Sequence, residues 1–229
     1  MNFIHIVDCN YRIIIDGEKS LTGYKLVIFD MDGTLITQES SWGAINKFFG
    51  TSRESKKSMI LYLKGKINYS EWMRRDITSW PRPIHISSIK EILSNWVFKD
   101  GALEVIREIK KKNIEIGVIS SGIDVLVEEV SQRLGISIVK VNRLVVDEKG
   151  FLTGKGIMEV DPLRKDIVLE DILEHTGIEL NECMAIADSV MDASLLKAAG
   201  RGFFLGNESD AYKIGVKKLQ SLWEILEHL

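Results

Sequence analysis

Asp30 and Asp32 stand two residues apart in the run KLVIFDMDGTL, directly after the apolar residues 26–29 and directly before Gly33 and Thr34. Burying an unpaired carboxylate is costly, and two like charges this close raise the pKa of at least one of them. A chain that ends an apolar strand in this way needs a counter-charge. Two further polar clusters stand in the same relation to apolar runs: Ser120, Ser121 and Gly122 follow residues 114–119, and Asp188 with Asp192 follows residues 183–187. Lys165 opens a helical stretch. The ligand crevice of an open parallel sheet lies outside the carboxyl ends of its strands, so all of these groups could converge there. With no His or Cys cluster, the suited counter-charge is a hard dication with oxygen ligands, Mg²⁺ in the first instance. Ser120, the backbone amides of Ser121 and Gly122 at a helix start, and Lys165 form an anion cradle. Nucleophilic carboxylate, acid/base carboxylate, metal and cradle are together the parts of phosphoryl transfer.

Singly, most of these residues are ambiguous. An Asp after a strand is commonly a turn or helix cap, Ser-Ser-Gly is commonly a plain loop, and Lys165 or Asp192 alone reads as a solvated helix residue. The run Asp-x-Asp-Gly-Thr behind an apolar strand is far more specific, and the ordered set is more specific again.

The elements that must position these groups follow from periodicity. Residues 2–16 alternate loosely and end in Asp16-Gly17, which suggests a β-hairpin in an N-terminal extension over 1–24. Strand 25–29 comes next. From residue 40 to 96 apolar residues recur three and four apart, broken by Gly50, Gly65 and Pro81-Arg82-Pro83, so this block reads as helices without a strand. Asp100 is the expected N-cap of a helix over 102–112. Strand 114–119, a helix over 123–134, and a hairpin turning at residues 148–150 follow. Then come a helix over 164–176, strand 183–187, a helix over 190–199, strand 202–205 and a closing helix. Strands alternating with helices imply an α/β, doubly wound parallel sheet. The expected domains are an α/β core over 25–38 and 98–229, and a helical cap over 39–97 inserted after the first motif strand.

Composition narrows the function classes. The 229 residues carry a formal net charge of −3, which argues for neither nucleic acid nor anionic membrane as a partner. The two cysteines, Cys9 and Cys183, have no metal or disulfide spacing, and the N-terminus does not read as a signal peptide, so a reducing cytoplasm is the expected setting. No run reaches the roughly 18–20 apolar residues of a membrane span. The basic residues Arg53, Lys56, Lys57, Lys64, Lys66, Arg74 and Arg75 read mainly as a solvated face of the helical block.

The motifs resemble those of the haloacid dehalogenase-like hydrolase superfamily, in its phosphoserine phosphatase-like branch. DMDGTL resembles the first motif, VISSG the second, Lys165 in PLRKDIV the third and ADSVMD the fourth, and NRLVVDEKGFLTG is similar to that branch's hairpin. The resemblance runs from about Lys25 to the C-terminus. It implies that Asp30 is a nucleophile phosphorylated during turnover, and that Asp32 protonates the leaving alkoxide and then activates water. It also implies that Asp30, the Asp32 backbone carbonyl and Asp188 hold Mg²⁺, with Asp192 behind them. Ser120, Ser121, Gly122, Lys165, Gly33 and Thr34 would surround the phosphate, with Thr34 orienting Asp32, and Glu39 and Arg75 would meet the substrate from the cap. Three positions depart from the branch: Met191 replaces an Asn, Ser121 replaces a Gly, and Asp76 stands where a carboxylate-binding Arg is expected, with Arg75 beside it. The expected activity is Mg²⁺-dependent hydrolysis of a small phosphomonoester, with L-phosphoserine a poorer substrate than phosphoethanolamine. A phosphomutase or phosphotransferase, and a binding module without turnover, are the alternatives.

Overall fold

A computed structural model describes residues 23–229, and the hairpin expected over 2–16 lies outside them. Strand β1 (Leu26–Phe29) is buried along its whole length, as a central strand covered on both faces must be. It pairs in parallel with β2 (Glu115–Ile123) on one side and β5 (Cys183–Ala187) on the other. Strand β3 (Ile138–Val146) pairs in parallel with β2 and carries the antiparallel β4 (Leu152–Ile157) at one edge. Strands β6 (Arg201–Phe204) and β7 (Lys217–Lys218) complete the other side, giving the order β4-β3-β2-β1-β5-β6-β7.

Helices pack on both faces. One apolar layer joins Val27 and Phe29 of β1 to Val105, Ile106 and Ile109 of α5 (Ala102–Lys111) and to Val127 and Val130 of α6 (Asp124–Leu134). The opposite layer joins Leu26 and Ile28 to Leu169 and Ile172 of α7 (Lys165–Thr176) and to Leu195 and Leu196 of α8 (Ala193–Ala198). Residues of β1 thus alternate between two cores, the period-2 geometry of a strand.

Between β1 and α5 the chain leaves the sheet to form α1 (Ser41–Phe48), α2 (Ser52–Leu63), α3 (Tyr69–Ser79) and α4 (Ile86–Ile92). It departs and returns through a paired neck: Thr37 N–H donates to the Val97 carbonyl at 3.0 Å and Lys99 N–H to the Leu35 carbonyl at 2.9 Å. Helix α2 packs on α3, and α3 packs on β4, so the β3–β4 hairpin supports the helical insertion.

Several elements differ from the expectation. Helix α5 is capped by Gly101 at φ 80°, not by Asp100, because the chain turns there through a left-handed conformation that favours glycine. The helix expected over 190–199 begins as a 3-10 turn, Val190–Asp192, before α8. The closing segment Leu222–His228 is a 3-10 helix, and α9 (Glu208–Ile214) and β7 were not anticipated. Among the described residues no helix is long and apolar enough to cross a membrane.

Candidate active site

Strand register assembles the site. Phe29 pairs with Val118 of β2 and with Ile186 of β5. Asp30 and Asp188 therefore leave β1 and β5 at the same edge, on either side of the point where strand order reverses. Ser120 lies at that edge in the last residues of β2, which runs on through Ser121 and Gly122 to Ile123 and does not end at 119 as expected. Helix α7 brings Lys165 to that edge from its first residue.

Lys165 is 1% exposed and holds two carboxylates, with its Nζ 2.5 Å from Asp30 Oδ1 and 2.5 Å from Asp192 Oδ1. Burial alone would lower the lysine's pKa. The carboxylates of Asp192 and Asp30 outweigh that effect and hold it above its ordinary range, so the side chain stays cationic. Burial pushes the Asp192 carboxyl up, and Lys165 opposes the shift. Burial also raises Asp188, helped by the charge of Asp30 and opposed by the hydroxyl of Thr34, which donates to Asp188 Oδ1 at 2.7 Å.

Asp32 is held differently. The backbone N–H of Ser41, the first residue of α1, donates to its Oδ2 at 2.6 Å, while Oδ1 is buried with no hydrogen-bond partner among the described residues. Burial raises its pKa to about 6; the Ser41 amide opposes this and Asp30 adds to it. An acid that keeps its proton near pH 6 and has a bare oxygen is suited to proton transfer.

Asp30, Asp188 and Asp192 each bring a carboxylate oxygen within 4.8 Å of the others. These are hard oxygen donors of the kind a small divalent cation takes. Gly33, at φ 81°, closes this corner: a Cβ there would stand 2.1 Å from Asp188 Oδ2, so a side chain would occupy the carboxylate's place. The donor set fits Mg²⁺.

Above the carboxylates lies a cavity of about 440 Å³ between the sheet edge and the helical insertion. Its floor includes Asp30, Asp32, Ser120, Ser121, Gly122, Lys165 and Asp192, and Met191 lies beside them. Glu39, Trp42, Asn46, Lys56, Met59, Tyr69, Trp72 and Asp76 line it from the insertion. Ser120 is almost fully buried, and its Oγ accepts from the Gly122 N–H at 3.0 Å. The Ser121 carbonyl accepts from Trp42 Nε1 at 2.9 Å, Tyr69 OH at 3.0 Å and Asn142 Nδ2 at 3.0 Å, so two donors of the insertion and one of β3 meet on one backbone oxygen.

A family model described as haloacid dehalogenase-like hydrolase matches residues 27–197. The chain belongs to this family. Among curated relatives of this haloacid dehalogenase-like hydrolase, the phosphoserine phosphatase of Methanocaldococcus jannaschii is 32% identical over 177 residues, covering 77% of this chain and 82% of that one. The phosphoserine phosphatase of Streptococcus thermophilus is 27% identical over 180 residues, covering 77% and 81%. A solved phospho-aspartyl intermediate analogue of phosphoserine phosphatase matches with a TM-score of 0.75 at 28% identity, covering 90% of this chain and 99% of that chain. The hydrolase therefore falls in the phosphoserine phosphatase-like branch, among phosphoric monoester hydrolases, and has that branch's mostly parallel sheet with flanking helices.

The structure brings together Asp30, Asp32, Ser120, Ser121, Gly122, Lys165, Asp192 and, from the insertion, Glu39. Three expected placements are corrected. Thr34 does not reach Asp32 but holds Asp188, and Ser41 holds Asp32 instead. Gly33 and Thr34 stand behind the carboxylates, outside the lining of the cavity. Arg75 does not meet the cavity: its guanidinium pairs with Glu71 one helical turn back, at 2.8 Å. Residues not singled out from the sequence include Ser41, Lys99, which donates to the Gly33 carbonyl, and the aromatic donors Trp42 and Tyr69. A Ser at a helix start is too common a signal to mark a site, and nothing in local periodicity aims an indole at a distant carbonyl.

Proposed function

We propose that this hydrolase is a Mg²⁺-dependent phosphatase acting on a small phosphomonoester through an aspartyl-phosphate at Asp30. The observation that carries this reading is the pairing of two unlike carboxyls on one strand end. Asp30 is kept beside a buried lysine, and Asp32 is raised toward pH 6 with a free oxygen.

In the first half-reaction an Asp30 oxygen attacks phosphorus. A bond forms between that oxygen and phosphorus, the ester P–O bond breaks, and the Asp32 proton goes to the departing alkoxide. In the second, Asp32, now ionised, takes a proton from water as the water oxygen attacks phosphorus. The Asp30–phosphorus bond breaks and inorganic phosphate leaves. Lys165 and Ser120 hold phosphoryl oxygens through both steps, and Lys165 also keeps Asp30 and Asp192 from repelling one another. Asp30, Asp188 and the Asp32 backbone carbonyl would hold Mg²⁺, with Asp192 supporting them. The ion when bound would compensate clustered negative charge and polarise a phosphoryl oxygen. The helical insertion serves as a cap over the cavity, excluding bulk water from the phosphorylated Asp30.

The test is phosphate release from a panel of phosphorylated metabolites and an aryl phosphate, with Mg²⁺ and with EDTA, together with mass spectrometry of the trapped enzyme. Turnover that needs the cation and a phosphate label on Asp30 are expected. Full activity in EDTA, an active Asp30→Asn variant, or a label on a serine would each overturn the assignment.

A further inference from the structure

Asp76 is 3% exposed, and it lines the cavity from α3. Both hydrogen bonds to its carboxylate fall on one oxygen, with Asn46 Nδ2 donating to Oδ2 at 2.8 Å and Ser55 Oγ donating to the same atom at 2.7 Å. Among the described residues Oδ1 accepts no hydrogen bond. The Trp72 indole N–H lies nearby and opposes the shift of the acid's pKa, yet it is itself buried without meeting hydrogen-bond geometry. Among the described residues no Lys, Arg or His comes within salt-bridge distance of Asp76. Burial accordingly pushes the carboxyl up from its ordinary range.

A buried carboxylate is retained where a cation completes it, because an isolated one is expensive. Here the described residues supply none, and the carboxylate faces the cavity that Asp30 also lines. The rest of the wall suits a cation as well. Trp42, Tyr69 and Trp72 line it, and aromatic faces attract ammonium groups. Tyr69 and Trp72 are fixed edge to face at 5.5 Å between ring centres. Glu39 adds a second acid at the exposed rim. A carboxylate on the substrate would meet Asp76 and Glu39. Among the described residues the lining cations are Lys165, already held by two aspartates, and Lys56, which is exposed so that its charge is screened by water.

We infer that Asp76 is the receptor for an ammonium group on the leaving alcohol, and that the preferred substrate is an aminoalkyl phosphomonoester lacking a carboxylate next to the ester. This rests on the phosphatase reading above and adds to it the residue that selects among esters. Asp76 touches the leaving group and takes no part in bond breaking, so its effect is a preference among substrates.

The experiment measures kcat/KM for phosphoethanolamine, for 2-hydroxyethyl phosphate, which replaces the ammonium by a hydroxyl, for L-phosphoserine and for p-nitrophenyl phosphate. Wild-type enzyme is expected to favour phosphoethanolamine over both the hydroxyl ester and phosphoserine by about tenfold or more, ~1.4 kcal/mol. In Asp76→Asn the ratio of ammonium to hydroxyl ester is expected to fall to about one, mainly through KM. Equal wild-type rates on those two esters, a preference for phosphoserine, or a ratio that survives in Asp76→Asn and disappears in Glu39→Gln would overturn the assignment. Should Asp76→Asn not fold, the wild-type ratios decide by themselves. Absence of turnover on all four esters, the aryl phosphate included, would instead remove the phosphatase reading on which this one stands.

Discussion

The backbone amide of Ser41 donates to Asp32 Oδ2 at 2.6 Å, so the first residue of the insertion's first helix holds the carboxyl that follows the central strand. Asp32 is thereby shared between sheet and cap. The group proposed to move a proton takes its orientation from an element that covers the cavity.

That relationship sets a pH dependence. Burial raises Asp32 to about 6, so its proton is held below that pH and lost above it. An alkyl phosphate, whose leaving alkoxide needs the proton, is expected to show kcat/KM falling as pH rises through about 6. An aryl phosphate, with an activated leaving group, is expected to lack this decline. The measurement is a pair of pH–rate profiles. Parallel declines for both esters would assign the titration to the substrate phosphate, whose second pKa is about 6, and not to Asp32.

Lys165 is buried between Asp30 and Asp192. Lys165→Met leaves two buried carboxylates without their partner. Breaking a buried pair in this way typically costs about 3–5 kcal/mol, so a loss of that order in urea unfolding is expected, together with loss of phosphate release. A variant within about 1 kcal/mol of wild type would show that the lysine's charge is not what holds the cluster.

Asp188 carries the opposite expectation. Burial and the charge of Asp30 both disfavour its ionised form, so Asp188→Asn relieves repulsion when no divalent cation is present, while an amide oxygen can still accept from Thr34. The melting temperature in EDTA is expected to rise by about 2–4 °C, the equivalent of about 1 kcal/mol for a chain of this size. Addition of Mg²⁺, which should stabilise wild type by binding the folded state, is expected to do little for the variant. A wild-type-sized Mg²⁺ shift in Asp188→Asn would remove this residue from the metal site.

Tyr69 donates to the Ser121 carbonyl across the boundary between cap and sheet. Tyr69→Phe deletes that donor and keeps the ring, so a loss of about 0.5–1.5 kcal/mol is expected. A higher KM should accompany it if closing the cap and binding substrate draw on the same contacts. Unfolding curves and steady-state kinetics on one preparation check both, and unchanged values of each would make the hydroxyl a bystander.

The floor of the site was legible because it is written in short runs. Asp30 and Asp188 each follow an apolar strand directly, Ser120 follows the apolar run of β2 while still in the strand, and parallel register does the rest. The roof was not legible. Arg75 and Asp76 are neighbours in sequence, and only packing decides that Asp76 turns into the cavity while Arg75 pairs along the helix with Glu71. Thr34 likewise stands in the first motif as expected, yet a side chain at the end of the neighbouring strand β5, Asp188, accepts from its hydroxyl. The missed helix α9 has seven residues between Asn207 and Gly215, too few for a period to emerge, and β7 has two. The final segment has helix-like spacing of apolar residues but winds as 3-10, a choice that local periodicity does not distinguish.

The three donors on the Ser121 carbonyl also have a kinetic meaning. Were the proposed cap to open, the bonds from Trp42 and Tyr69 would be exchanged for bonds to water, a near-even trade, while Asn142 would keep this end of β2 in place from β3. The lifetime of the closed state would be governed mainly by what fills the chamber. An empty chamber would then reopen readily, and one holding a well-matched alcohol would stay shut. A poorly matched ester would thus tend to escape before it reacts, and selectivity would be exercised partly as commitment to catalysis, in addition to affinity in the resting complex.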